Sequence, residues 1–379
     1  MIINRLTYES HGHAVIIAIS VGMPAPLAVD IYHCGFPCTP WSLRGGQLGF
    51  EDPNSLVVWQ TIATIRAVVP KLFILENVAN IDAVSASHQT SDFQVIRHEM
   101  RQQLPEFRMT SVYGLDPPHF GFPTPRPRVF EMGGHQTCVA GGAIERNVEL
   151  IRANPAPWIT SWRDLFKIDE CVGDLGRIDW SALGASLQSD VDACLCSVDA
   201  TVLCPMHPCQ CGCRAAGDLT SCKWRAKADA FIAKHFDESF VKARAGTVTY
   251  IRLLELQGRD VPQSPRVRNM LNILAWWSKK DVPGVHPYTL VDISQGIDRL
   301  GMRNDGMVPT LAKNTQLWSM FDGVQLSART HAILHGHNPY AMDLTRVSEN
   351  QLRQMVGNSV HVACLGGALL ALLAAVGTE

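Results

Sequence analysis

The sequence predicts an α/β domain built on a parallel sheet, with a separate and less regular region set into it. Two observations predict this. Between residues 28 and 134, short apolar runs of β-rich composition alternate with longer runs of helical spacing. From 135 to about 308 that rhythm disappears and charge segregates, before helical periodicity returns at Pro309.

The elements follow in order. Ala28 to Cys34 reads as a strand, Ser55 to Val69 as a helix and Lys71 to Leu75 as the next strand. Phe93 to Leu104 is helical, and Val129 to Gly133 is again a strand. Ala14 to Val21 is a further candidate strand. In the middle region, Asp164 to Asp199 holds eight acids against two bases, and Phe240 to Lys280 holds eight bases against two acids. Arg329 to Leu334 and the uncharged run Val362 to Gly377 restore the helical pattern, and the latter is shorter than the roughly 20 residues a membrane-spanning helix needs. A buried terminal helix is the expectation. The expected division is a first segment, 1–134, an inserted domain, 135–308, and a return to the first domain, 309–379.

Composition narrows the function classes. Of 379 residues, 46% are hydrophobic and 18% charged, which excludes a mainly disordered or fibrous chain. The 33 basic and 35 acidic side chains give a net charge of −2, so a globally basic nucleic-acid coat is excluded while a local basic face is not. Twelve cysteines in a chain this long point to reduced thiols inside a cell rather than to a secreted disulfide framework.

The sharpest feature is the run from Asp30 to Ser42, in which Pro37 and Pro40 stiffen a turn after a strand. Cys38 then stands at the carboxyl end of that strand, where open α/β sheets build their sites, and is a candidate nucleophile. The next strand runs into Glu76, Asn77 and Val78. A right-handed crossover brings both strand ends to one edge, so thiol and carboxylate share a pocket. Arg126 and Arg128, two apart in an extended segment, offer planar donors on one face. Gly357 permits a close backbone approach, and Asn358 or Ser359 can cap the last helix.

These segments, taken in this order, resemble the cytosine-5 DNA methyltransferase family. The resemblance runs through Gly35-Phe36-Pro37-Cys38 with Ser42, Glu76-Asn77-Val78, the Arg126-x-Arg128 pair, a weaker stretch from Arg329 to Pro339, and Gly357-Asn358-Ser359-Val360, covering roughly residues 28 to 134 and 309 to 379. It implies a Rossmann-like methyltransferase sheet, partly truncated at the amino terminus, with an inserted target-recognition domain. It also implies transfer of a methyl group from S-adenosylmethionine to C5 of a cytosine flipped out of double-stranded DNA.

The roles that the resemblance implies are specific. Cys38 adds to C6 of the base, Glu76 binds N3 and the exocyclic amine, Arg128 holds the O2 carbonyl and Arg126 braces the pocket. Pro37, Ser42 and Asn77 line the substrate side, Ser42 as a phosphate contact, while Asn358 and Ser359 face the cofactor. The basic stretch from Lys242 through Arg252, Arg259, Arg266 and Arg268 to Lys280 falls where the family keeps its target-recognition domain.

The chain also departs from the family pattern. No Phe-x-Gly-x-Gly loop for S-adenosylmethionine precedes Cys38, Thr39 and Thr124 stand where glutamine is usual, and His337-Asn338 replaces an aromatic-proline pair. An amino-terminally truncated record is favoured over a catalytically silent DNA-binding paralogue, because Cys38, Glu76 and Arg128 occur together. Methylation of tRNA is a further alternative, against which Ser42 and the large insert argue. Cys194, Cys196, Cys204, His207, Cys209, Cys211, Cys213 and Cys222 could ligate zinc, although the spacing lacks paired Cys-x-x-Cys knuckles. A bacterial protein of this kind would work in the cytoplasm, in restriction-modification, and a eukaryotic one in the nucleus.

Overall fold

The computed structural model describes residues 6–11, 14–19, 29–43, 45–84, 89–156, 161–165, 223–239, 241, 248–281, 286–299 and 301–377. They fall into two compact units: Met1–Trp158 with His335–His337 and Val360–Glu379, and Ile159–Leu334 with Asn338–Ser359.

The first unit carries β1 (Leu6–His11), β2 (Ala14–Ile19), β3 (Ile31–Gly35), β4 (Leu72–Val78), β5 (Phe107–Tyr113) and β6 (Arg128–His135), in the spatial order β1-β2-β3-β4-β6-β5. Only β3 and β4 pair in parallel, joined through helix α1 (Leu56–Val68). Every other neighbouring pair in this sheet is antiparallel, so the expected parallel sheet is in fact mixed. The physical reason lies in the connections. A crossover helix, α2 (Asp92–Gln103), carries the chain from β4 to β5, but only a single 3-10 turn, Pro117–Phe120, separates β5 from β6, and the chain doubles back between its predecessors.

Local sequence explains the two crossover helices. Asp52 caps the turn ahead of α1 by accepting from the Asn54 N–H, and Val58, Ile62 and Ile65 then bury one stripe. Ser91 and Gln94 form a capping box at the start of α2, whose Phe93, Ile96 and Met100 face inward. Strand alternation sorts the two faces of the sheet. Tyr32, Cys34, Phe73 and Leu75 pack under α1 and α2. Ile31, Leu72, Ile74, Phe130 and Met132 pack against α3 (Ala143–Ala153) and the terminal helix (Val362–Leu373), which buries Cys364, Ala368, Ala371 and Leu372 as expected for a core helix.

The second unit has a four-stranded sheet made of β7 (Leu290–Asp292), β8 (Met302–Arg303), β9 (Leu317–Ser319) and β10 (Val324–Gln325), ordered β10-β9-β7-β8. Its core gathers Tyr250, Leu254, Leu271, Leu274 and Trp318 from the sheet and from α4 (Lys223–His235), α5 (Tyr250–Leu256) and α6 (Pro265–Asp281). Tyr250 donates to the Met320 carbonyl at 2.9 Å and accepts from the Trp318 indole at 3.0 Å, which satisfies both buried polar groups. Two further helices, α7 (Ala328–Leu334) and α8 (Glu349–Asn358), pack through Ala328, Ala332, Leu352 and Val356.

The borders of the units differ from the expected ones. The first unit runs on past residue 134 to Trp158, because α3 folds back on its own sheet. Residues from Pro309 to Leu334 stay with the second unit, since β9 and β10 complete its sheet, and the chain rejoins the first unit for good only at Val360.

Candidate active site

The parallel register of β3 and β4 sets Gly35 opposite Glu76. Both strands leave the sheet on one edge, and Cys38 follows three residues after Gly35, half-buried at the head of a tight turn. The Cys38 carbonyl accepts from the N–H groups of Trp41 at 3.0 Å and Ser42 at 2.8 Å, which fixes the backbone of that turn. A Cβ at Gly35 would stand 3.2 Å from Glu76 Oε2, so any side chain there would press the carboxylate aside by a few tenths of an ångström.

Glu76 is paired rather than free. Arg128, at the start of β6 and diagonal to Glu76 across the ladder, sets its Nε 2.5 Å from Glu76 Oε1, with both side chains almost buried. Arg128 also donates through Nη1 to the Pro127 carbonyl at 2.9 Å, which holds the guanidinium plane. Arg126 is more deeply buried. Desolvation, then the charge of Arg128, presses its pKa down to about 9, while Glu76 and Cys38 oppose the shift. One guanidinium thus lies within electrostatic reach of both the thiol and the carboxylate.

Three side chains outside the expected set tie the Cys38 segment down. Asn80 donates to the Trp41 carbonyl at 2.7 Å. The Trp41 indole donates to Asp92 Oδ2 at 2.8 Å, and its ring meets Phe36 edge-on at 5.8 Å. Sequence reasoning missed Trp41, Asn80 and Asp92, although Trp41 lies inside the run it singled out. It also missed His335, which is fully buried and held below the ordinary histidine range by burial and by the charge of Arg126. His361 packs 5.5 Å from His335 and 4.6 Å from Phe122, ring centre to ring centre.

Other expected site residues take different places. Asn77 is buried and uses its amide internally, donating to the Phe36 carbonyl at 3.1 Å and accepting from the Val78 N–H at 2.8 Å, so it fastens the loop before Cys38 to β4. Pro37 and Ser42 flank Cys38 within the turn, both half-buried. Asn358 and Ser359 do not cap the terminal helix, whose N-cap is His361; they close the carboxyl end of α8 in the second unit, where Ser359 donates to the Val356 carbonyl at 2.9 Å. A Ser348–Gln351 capping box starts α8 early enough for the helix to run through Asn358, which is the physical reason.

The basic stretch of the second unit is largely spent inside it. Arg259 donates to the Asp322 carbonyl at 2.8 Å, Arg266 to the carbonyls of Gln295 and Ile293, and Arg268 pairs with Glu255 at 2.5 Å. Arg252 lies 3.6 Å from the same glutamate, so these arginines brace helices rather than form a free row of phosphate contacts. Lys242 lies outside the described residues, as do the cysteines and the histidine at 194–222 that could hold zinc. Among the described residues no cluster of three or more potential metal ligands occurs.

A thiol on a stiff turn, a carboxylate at the next strand end and two guanidinium groups thus gather on one edge of an α/β sheet. Residues 9–154 match the family model of the C-5 cytosine-specific DNA methylases. That segment of the chain is similar to the family. The type II methyltransferase M.AquIA of Picosynechococcus is 31% identical over 113 residues, which is 28% of this chain and 44% of the relative. M.HhaI of Haemophilus parahaemolyticus is 31% identical over 102 residues, or 27% of this chain and 29% of the relative. The chain therefore spans less than half the length of these curated relatives. The crystal structure of the S. pombe Dnmt2 methyltransferase overlaps 91% of this chain and 78% of its own at 13% identity, with a TM-score of 0.41.

The similarity to that family would imply S-adenosylmethionine as methyl donor. Dinucleotide-type and related cofactors rest on glycine-rich loops between the carboxyl end of a strand and a helix. Beside β3 the structure places β2, which runs antiparallel, with Val15 opposite Gly35 and Ile19 opposite Ile31, so β2 ends on the edge away from Cys38. β1 ends on the Cys38 edge at His11, but the chain turns straight back, pairing His11 with Ala14. The described residues beside β3 do not fit the donor in the expected way.

Proposed function

We propose that this chain performs the cytosine half of C5 methylation on double-stranded DNA, with Cys38 as nucleophile. The observation that carries the reading is the convergence of Cys38, Glu76, Arg126 and Arg128 on one sheet edge within the family-matched segment.

The residues divide the chemistry as follows. The Cys38 sulfur adds to C6 of the base, forming an S–C6 bond while the C5–C6 π pair moves onto C5. Arg126, buried alongside, supplies the positive charge that an attacking sulfur anion requires. Glu76 grips N3 and the exocyclic amine, and a proton shared at N3 offsets the charge arriving from sulfur. Arg128, already holding Glu76, lies beside the edge that would take the O2 carbonyl. The enamine so formed is nucleophilic at C5. In the absence of a methyl donor C5 takes a proton from water; loss of the original C5 hydrogen, departure of the Cys38 thiolate from C6 and return of the N3 proton to Glu76 then restore the aromatic ring. A base inside a duplex cannot be reached from its ring face, so the cytosine must be extruded first, at a cost of a few kcal/mol.

These steps can be tested without the methyl donor. Once sulfur has added, C5 exchanges hydrogen with water, so duplex DNA carrying tritium at cytosine C5 should release it to solvent. Release by the unaltered chain and none by Cys38→Ser is the expected result. Equal release by both proteins rejects Cys38 as nucleophile, and release from tRNA but not from duplex DNA rejects the substrate assignment.

A further inference from the structure

We infer that the hydrogen bond between Trp41 and Asp92 is a positioning clamp, through which the amino terminus of α2 sets the placement of the Cys38 sulfur. The inference deepens the reading of Cys38 as nucleophile and rests on it for its consequence in catalysis, although its own test does not.

The segment from Phe36 to Gly49 is closed on itself by backbone bonds: Trp41 and Ser42 donate to Cys38, Gly45 donates to Ser42 at 2.9 Å, and Gly49 donates to Pro40 at 3.0 Å. A loop closed only on itself can still rock as one body. Among the described residues, three side-chain bonds attach it to the rest of the first unit. Two of them, from Asn77 to Phe36 and from Asn80 to Trp41, come from the end of β4 and the turn after it. The third crosses 51 residues of sequence to Asp92, in the first turn of α2, so it alone of the three fixes the loop to a different element.

Several features make this attachment stiff. Trp41 is 4% exposed and is wedged edge-on between Phe36 at 5.8 Å and Phe50 at 6.2 Å. Asp92 lies in the first turn of its helix, where the unsatisfied N–H groups favour a carboxylate. Gly49, at φ +55°, passes so close to the same carboxylate that a Cβ would stand 2.4 Å from Asp92 Oδ2, so both limbs of the loop meet at this oxygen. The backbone N–H of Trp41 is itself bonded to the Cys38 carbonyl, which makes the route from Asp92 to Cys38 two hydrogen bonds long. Charge-assisted bonds of this kind are the stronger sort, and a displacement of about 1 Å at a reacting group is enough to cost a large factor in rate.

The test follows alkylation of Cys38 by iodoacetamide across pH, read on the Cys38 peptide by mass spectrometry, in the full chain and in Asp92→Ala, Asp92→Asn and Trp41→Phe. Asparagine keeps an oxygen that can accept from the indole, and phenylalanine keeps the ring but not the N–H. The expected result is a pH profile displaced in Asp92→Ala and Trp41→Phe, since the sulfur moves relative to Arg126, and restored in Asp92→Asn. Profiles identical to that of the unaltered chain in all three variants overturn the clamp. In the tritium-release assay the same pattern is expected in kcat, about tenfold down in Asp92→Ala and Trp41→Phe with KM for DNA within about twofold. A chain that releases no tritium but shows the displaced and restored profiles loses the proposed reaction and keeps the clamp.

Discussion

Arg128 Nε stands 2.5 Å from Glu76 Oε1, and the two side chains are only 11% and 12% exposed. The carboxylate that would grip the base is therefore held in place before any base arrives, by the arginine expected beside the base's O2. Removing one partner of an almost buried pair leaves the other uncompensated, which costs more than the pair itself contributes. Urea unfolding of Glu76→Gln, Arg128→Ala and the double variant should give a coupling energy of about 1–3 kcal/mol. A coupling below about 0.5 kcal/mol would mean that solvent, not Arg128, holds the carboxylate.

Gly357 belongs to the second unit, and its motif was expected to serve the cofactor. A Cβ at this position would stand 2.4 Å from the Ala312 carbonyl and 2.5 Å from the Lys313 nitrogen, both backbone and both unable to yield cheaply. Gly357→Ala should therefore destabilise the second unit by about 1–3 kcal/mol in a denaturant titration. An unchanged midpoint, together with weakened binding of S-adenosylmethionine, would instead give this glycine a part in holding the cofactor.

His331, on the buried side of α7, is kept uncharged by desolvation and then by the neighbouring Arg353 charge, which together lower its pKa to about 3. In the unfolded chain an ordinary histidine takes up a proton near pH 6.5. The unfolded state thus binds more protons between these limits, so the second unit is at full strength above pH 6.5 and loses stability as pH falls toward 3. The loss expected between pH 6.5 and 5 is roughly 2 kcal/mol from this group. Thermal unfolding at the two pH values should show it, and His331→Leu should flatten it. Parallel slopes for the two proteins would remove His331 as the cause.

Much of the site was legible because its signals are local. Prolines that stiffen a turn after an apolar strand place Cys38, the crossover rule places Glu76 on the same edge, and the parallel register sets Gly35, three residues before Cys38, opposite Glu76. What could not be read was where each polar group would find its partner. Nothing local to Trp41 names an acceptor for its indole, and only the approach of α2 supplies Asp92. Arg259, Arg266 and Arg268 read as a basic row, yet each meets a carbonyl or a carboxylate once its unit folds. Asn358 and Ser359 were assigned to the wrong helix end, because a capping box upstream decides where α8 starts and therefore where it stops.

By itself the sequence determined the α1 and α2 crossovers, the thiol and carboxylate at adjacent strand ends, and the chemistry those residue types can perform, since periodicity, proline placement and ionisable groups are properties of short segments. The tertiary structure decided the antiparallel partners of β3 and β4, the Arg128–Glu76 contact, the Asp92 hold on the Cys38 turn and the unit to which residues 309–334 and 338–359 belong. Those depend on which distant groups come within about 3 Å of each other, and hydrogen bonds and close packing are too short-ranged to be encoded in any one stretch of chain.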